Sequence, residues 1–272
     1  MNRIVKGGKC LKRMIKTKRG AKTVIQNGRS LTTQQQQRFH LNQETMTQNH
    51  IKRNFYYLPG TRKLEDIVDM DKFGTETPEM MKWIWMKHYF YTYDTVGEVL
   101  TSQQFELLQK RIKSCRHFII PVDKGIGYVN YYSQFQDNYT ILTNLREFQT
   151  KGENAPPYMN VMHFDDFKGK GLVFVRAEVN IKHLDMDEAG ATMRMLHKFY
   201  LDDRLYENYV VPFNKRPNEF NYNVFLEQCK QVNIVVKDKM RDVKRGIAEP
   251  PQEDDSLDIT EINLENLFRA MK

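Results

Sequence analysis

The chain has 272 residues, 40% hydrophobic and 12% aromatic, which is enough for one sizeable core plus tails and too little for a second complete domain. Its formal net charge of +8 is unevenly spread: residues 1–54 hold 13 of the 42 lysines and arginines against one acid, Glu44, leaving 29 bases and 33 acids elsewhere. The body is therefore mildly acidic, which argues against a nucleic-acid-binding domain. Three scattered cysteines, Cys10, Cys115 and Cys229, exclude a disulfide framework or a CxxC metal pair, and no apolar run is long enough to span a membrane.

Residues 1–43 carry no acid at all and interleave Ile4, Val5, Leu11, Met14 and Ile15 with lysine and arginine. That pattern suits a mitochondrial transit peptide, or else a disordered basic arm for nucleic acid. Residues 44–60 are polar and read as a linker, residues 61–232 as one α+β domain, and residues 233–272 as a C-terminal extension.

Within the domain, Lys63 to Met70 suggests a short helix ending near Phe73-Gly74. Thr77 as N-cap and Pro78 at N1 announce a stronger helix through Phe90, so apolar around its circumference that it must be buried, most simply in the chain's own core. Thr101 or Ser102 caps a further helix carrying Phe105, Leu108 and Ile112 and closing at Cys115. Strands follow at His117–Val122, where Pro121 marks a strand end or sheet edge, and at Tyr128–Phe135. Asp137-Asn138 then turns the chain into Tyr139–Phe148, completing a hairpin. Tyr158–Phe164 is the next strand. Leu172–Val179 alternates as a half-buried strand requires, Val173, Val175, Ala177 and Val179 facing a core and Arg176 and Glu178 facing away. Asp185 and Glu188 form a capping box for a helix that lays Ala189, Met193, Leu196 and Tyr200 on the sheet. Phe213 to Phe220 reads as a loop from which Pro217 starts another helix. Residues 232–245 fit helix or extended chain. From Gly246 to Phe268 seven acids and no base, with Pro250-Pro251 among them, suggest a mobile acidic tail. The fold class expected is α+β: a mainly antiparallel sheet of about five to six strands flanked by helices.

No P-loop, GxGxxG, HExxH, GxSxG or EF-hand pattern occurs. The nearest approach to a catalytic cluster is His163-Phe164-Asp165-Asp166, for which a turn with Asx-type bonds is the simpler account. His88, His117, His183 and His197 are scattered without metal-ligand spacing. No catalytic residue, metal ligand or cofactor is expected.

Several blocks together carry a family resemblance. Phe118-Ile119-Ile120-Pro121, Gly127-Tyr128 and Phe135 come first. Gln149-Thr150-Lys151-Gly152-Glu153-Asn154-Ala155 and Ala177-Glu178-Val179 follow, and then Phe213-Asn214-Lys215-Arg216-Pro217-Asn218-Glu219-Phe220, the most specific piece. With Lys63 to Ile67, Trp83 to His88 and Asp94-Thr95-Val96 upstream, their order resembles the mitochondrial ATP synthase F1 assembly factor family, the Atp eleven chaperones. The resemblance spans about residues 63–230, with departures at Cys115-Arg116 and Pro121-Val122. It implies a non-enzymatic, monomeric protein of the mitochondrial matrix that binds the unassembled ATP synthase F1 β subunit until the α subunit replaces it. No cofactor, nucleic acid or membrane insertion is implied. The alternative is a mitochondrial RNA- or ribosome-binding protein using the basic N-terminal arm. Phe213, Asn214, Arg216, Pro217, Asn218, Glu219 and Phe220 are the candidate partner-binding residues. Packing and helix capping are the competing account of that block. The cover for a client's apolar interface is expected from an open sheet face or a helix groove with aromatic anchors.

Overall fold

The computed structural model describes residues 24–26, 29–31, 62–90 and 92–246. The expected linker, the acidic tail and most of the expected transit segment lie outside them. Within residues 1–43, Val24–Gln26 (β1) and Arg29–Leu31 (β2) pair antiparallel.

The domain is built on a six-stranded antiparallel sheet. Its strands are Thr95–Thr101 (β3), His117–Asp123 (β4), Tyr128–Gln136 (β5), Tyr139–Asn144 (β6), Pro157–Phe164 (β7) and Leu172–Val179 (β8). They lie side by side in the order β3-β8-β7-β6-β5-β4, so β3 and β4 are the edges. Pro121, lacking an N–H, sits in edge strand β4 as expected. Asp137, at φ 50°, makes the tight β5–β6 turn in the left-handed region that Asp and Asn tolerate.

The helices are Met70–Thr75 (α1), Pro78–Phe90 (α2), Ser102–Ser114 (α3), Leu145–Lys151 (α4), Met186–Leu201 (α5), Asp203–Leu205 (α6), Val211–Lys215 (α7) and Tyr222–Gly246 (α8). The caps read from sequence are in place. Thr77 Oγ1 accepts from Met80 N at 3.3 Å, Thr101 forms a capping box with Gln104, and Asp185 forms one with Glu188.

Three boundaries differ from expectation. The segment after Lys63 makes a single 3-10 turn, Leu64–Asp66, and the helix starts afresh at Met70 because Asp69 caps it by accepting from Lys72 N. The strand expected over Tyr139–Phe148 stops at Asn144, whose side chain accepts from Arg146 N and Glu147 N and so opens α4. Pro217 opens only the 3-10 turn Pro217–Glu219, and the long helix begins at Tyr222 after Asn221 accepts from Asn223 N and Val224 N. That helix continues through residues 232–245, the stretch that fitted either conformation. An additional strand, β3, occupies Thr95–Thr101.

Strand β8 is covered on both faces rather than one. Val173, Val175, Ala177 and Val179 join the larger core under α5, α3 and α8. Leu172 and Phe174, on the opposite face with Arg176 and Glu178, are buried in a second cluster with Phe73, Met81, Trp83, Ile84 and Trp85. Helix α2 is thus buried in its own fold. Trp85 fixes its position, donating from Nε1 to the Val175 carbonyl at 3.1 Å, with its ring 4.9 Å from Phe174. Toward the β4 edge the same face is covered by α4, where Phe148 lies 4.7 Å from Tyr132. Helices therefore occupy the sheet faces, and an open face of the kind expected for client binding is not what the sheet presents.

Candidate functional site

The Phe213–Phe220 block divides into an anchor and a tip. A π-helical turn, Tyr206–Val210, precedes it and delivers Phe213 into the core, where it is fully buried. Its ring lies 5.6 Å from Phe118 and 5.2 Å from Phe220, and Phe220 in turn lies 5.3 Å from Phe225. Asn214 works as a surrogate neighbour for the β4 edge. Its Nδ2 donates to the His117 carbonyl at 2.7 Å and to the Val210 carbonyl at 2.9 Å, while its Oδ1 accepts from His117 N at 3.2 Å. Two of those bonds satisfy the backbone N–H and carbonyl of His117, the first residue of β4, on the side of the strand that has no neighbouring strand. Between the two phenylalanines, Lys215, Arg216, Asn218 and Glu219 are exposed on a turn that Pro217 stiffens. Arg216 pairs with Glu219 at 2.9 Å with both side chains about half exposed, so the pair adds little stability. Of the seven candidate residues, Phe213, Asn214 and Phe220 hold the fold, and Arg216, Pro217, Asn218 and Glu219 form the outward tip.

The opposite edge carries a different surface. Beside β3, a groove of about 130 Å³ runs between α2, α5 and α8, lined by Met86, Tyr89, Phe90, Met186, Gly190 and Met240. Gly97 lets α2 lie against the edge, since a Cβ there would come within 2.9 Å of Tyr89 Cβ. Arg194 on α5 closes the edge by donating from Nη2 to the Gly97 carbonyl at 3.2 Å. Phe90, which lines the groove, is 45% exposed, and Tyr93, three residues further along the chain, is 76% exposed. Flexible methionines beside exposed rings suit an adaptable apolar contact. A helix groove was one of the two covers expected from sequence, but its place was not legible because it depends on residues from three distant helices meeting at an unanticipated strand.

His163 does not join Asp165. The Asp165 side chain accepts from Asn138 Nδ2 at 3.2 Å, a residue 27 positions earlier, in place of the expected local Asx-type bond, and the turn itself is closed by Lys168 N donating to the Asp165 carbonyl at 3.0 Å. His163 turns into the core, with Nε2 at 3.1 Å from His197 Nε2, and His197 Nδ1 lies 2.7 Å from Glu98 Oε2. Burial, followed by the neighbouring His197, pushes the His163 pKa down to about 3. Burial works against the Glu98 carboxylate, but His197 and then Arg194 outweigh it and hold its pKa below the ordinary range. Cys115 and Cys229 are buried free thiols, and burial raises the Cys229 pKa well above its usual value. Among the described residues no group of three or more His, Cys, Asp or Glu is placed to hold a metal ion, and no helix is long and apolar enough to cross a membrane.

A closed α+β body with one clamped edge, one apolar groove and an exposed polar tip has the features of a protein-binding module. The family model described as ATP11 protein matches residues 8–226, and the chain belongs to that family. Among curated relatives, it is 32% identical over 176 residues to the human ATP synthase mitochondrial F1 complex assembly factor 1, covering 64% of this chain and 53% of that protein. The Danio rerio protein of the same name is 32% identical over 167 residues, covering 60% and 53%. Protein atp11, mitochondrial, from Schizosaccharomyces pombe is 23% identical over 114 residues, covering 39% and 40%. The chain spans about half the length of the F1 assembly factors it matches.

Proposed function

We propose that this protein is a non-enzymatic assembly factor for the F1 sector of mitochondrial ATP synthase. It holds the unassembled β subunit in the matrix, preventing its aggregation until the α subunit takes over. The observation that carries this reading is the family match over residues 8–226, with relatives named as F1 assembly factors. It favours the chaperone over an RNA-binding protein that would rely on the basic N-terminal residues. The physical need is plain: a subunit destined for a large apolar interface exposes that surface while it lacks its neighbour. The Met-rich groove beside β3 supplies a cover for part of it, with Phe90 as an aromatic anchor. Arg216, Asn218 and Glu219 at the rigid tip supply polar contacts that confer selectivity without the affinity that would prevent release.

Affinity purification from mitochondrial extract tests the reading. The tagged chain is expected to recover β subunit free of α, in an amount that falls when α is supplied. Recovery of RNA or ribosomes without β would refute it in favour of the alternative.

A further inference from the structure

Glu98, Val175 and His163 stand in one row across the sheet, because Val175 on β8 pairs with Glu98 on β3 and with His163 on β7. His197 on α5 sits over this row and bridges its two polar members. Both imidazoles are buried, at 4% and 3% exposure, and the proton inventory of the contacts is constrained. A carbonyl oxygen only accepts, so the 3.3 Å contact of His163 Nδ1 with the Asn138 carbonyl places a hydrogen on that nitrogen. A carboxylate likewise only accepts, which places a hydrogen on His197 Nδ1. With both rings neutral, the two Nε2 atoms would then face each other as bare lone pairs 3.1 Å apart.

We propose that Glu98, His197 and His163 form a binding site for a single proton, held between the two Nε2 atoms and balanced by Glu98, and that this proton latches α5 to the sheet. The cation belongs to the histidine pair and the anion to β3. The other charged groups bearing on the cluster are Arg194 on α5, with Nε 3.9 Å from Glu98 Oε1, and Asp165, acting through Asn138. From α3 the cluster receives the Phe105 ring, stacked on His163 at 5.7 Å, and Gln109, which bonds Asn138 Oδ1 at 3.0 Å. The low pKa of His163 places a second positive charge on the pair out of reach near neutrality, so the pair takes one proton and not two.

Raising the pH removes the shared proton, turns the 3.1 Å contact repulsive, and forces α5 away from β7. Glu98, freed of its cation, retains Arg194, the side chain that closes the β3 edge over Gly97. The latch is therefore wired to the edge that borders the apolar groove.

Nitrogen-resolved NMR of the imidazoles in the full ¹⁵N-labelled chain tests this without any variant. At pH 7, His197 is expected to carry hydrogen on both nitrogens, with a scalar coupling across the bond to His163 Nε2. As the pH is raised, that proton and the protection of α5 amides should disappear together, with exchange at least tenfold faster than the pH change alone produces. Two unprotonated Nε2 atoms at pH 7 would overturn the proposal, as would loss of the proton with no change at α5. Glu98→Gln should move the event to lower pH, and an unmoved event would remove Glu98 from the site. If that variant does not fold, the wild-type titration decides.

Discussion

Phe213 and Arg216 lie three positions apart in one motif and should respond oppositely to truncation. Phe213→Ala leaves a cavity among Phe118, Phe220 and Phe225 and is expected to cost about 3–5 kcal/mol in urea unfolding. Combined Arg216→Ala and Asn218→Ala should leave stability within about 0.5 kcal/mol yet weaken capture of β subunit. Retained capture by a folded double variant would move the contact away from the tip. The motif's sequence shows aromatic flanks and a polar middle, so the division between anchor and tip was legible. Asn214's bonds to His117 were not, because they join residues 97 positions apart. For the same reason His163 was set beside Asp165 in the sequence, while its partner His197 comes from a helix 34 positions later.

Elements announced by their ends were the most readable. Thr77-Pro78, Thr101 and Asp185 each supply a local hydrogen bond or dihedral that fixes a helix start whatever surrounds it. Strand β3 was hidden because Gly97 and Glu98 break an apolar alternation. Gly97 is there to admit Tyr89, and Glu98 is tolerated only because His197 and Arg194 meet it. Gly97→Ala should therefore destabilise by about 1–3 kcal/mol, since the added carbon must displace α2 from the edge. A midpoint in chemical denaturation equal to wild type would show that α2 is not held at that distance. The second face of β8 was misjudged for a related reason. Arg176 and Glu178 advertise solvent, but Leu172 and Phe174 on the same face are buried by α2, which the sequence marked as buried without showing against what.

Taken together, the domain should lose stability in acid. The His163 pKa is about 3 in the fold against about 6.5 in an unfolded chain, so below about 6.5 only the unfolded state takes up that proton. His88 is shifted down as well, by burial and then Arg176, and the lowered Glu98 must be protonated against its partners. The histidine contributions are full near neutrality and are lost as pH falls below about 6.5, and that of Glu98 follows only as pH falls below the ordinary carboxylate range. Urea midpoints at pH 7, 5.5 and 4 should decline in that order, and a flat series would contradict the buried environment assigned to His163. Such a body, with helices on both faces of its sheet, has its groove and tip to offer a partner. The claim that it shelters the β subunit is tested most directly by titrating the purified protein against isolated β and against β assembled with α. Saturable one-to-one binding to isolated β, abolished in the assembled pair, is the expected result. Equal binding to both, or binding to neither, would contradict it.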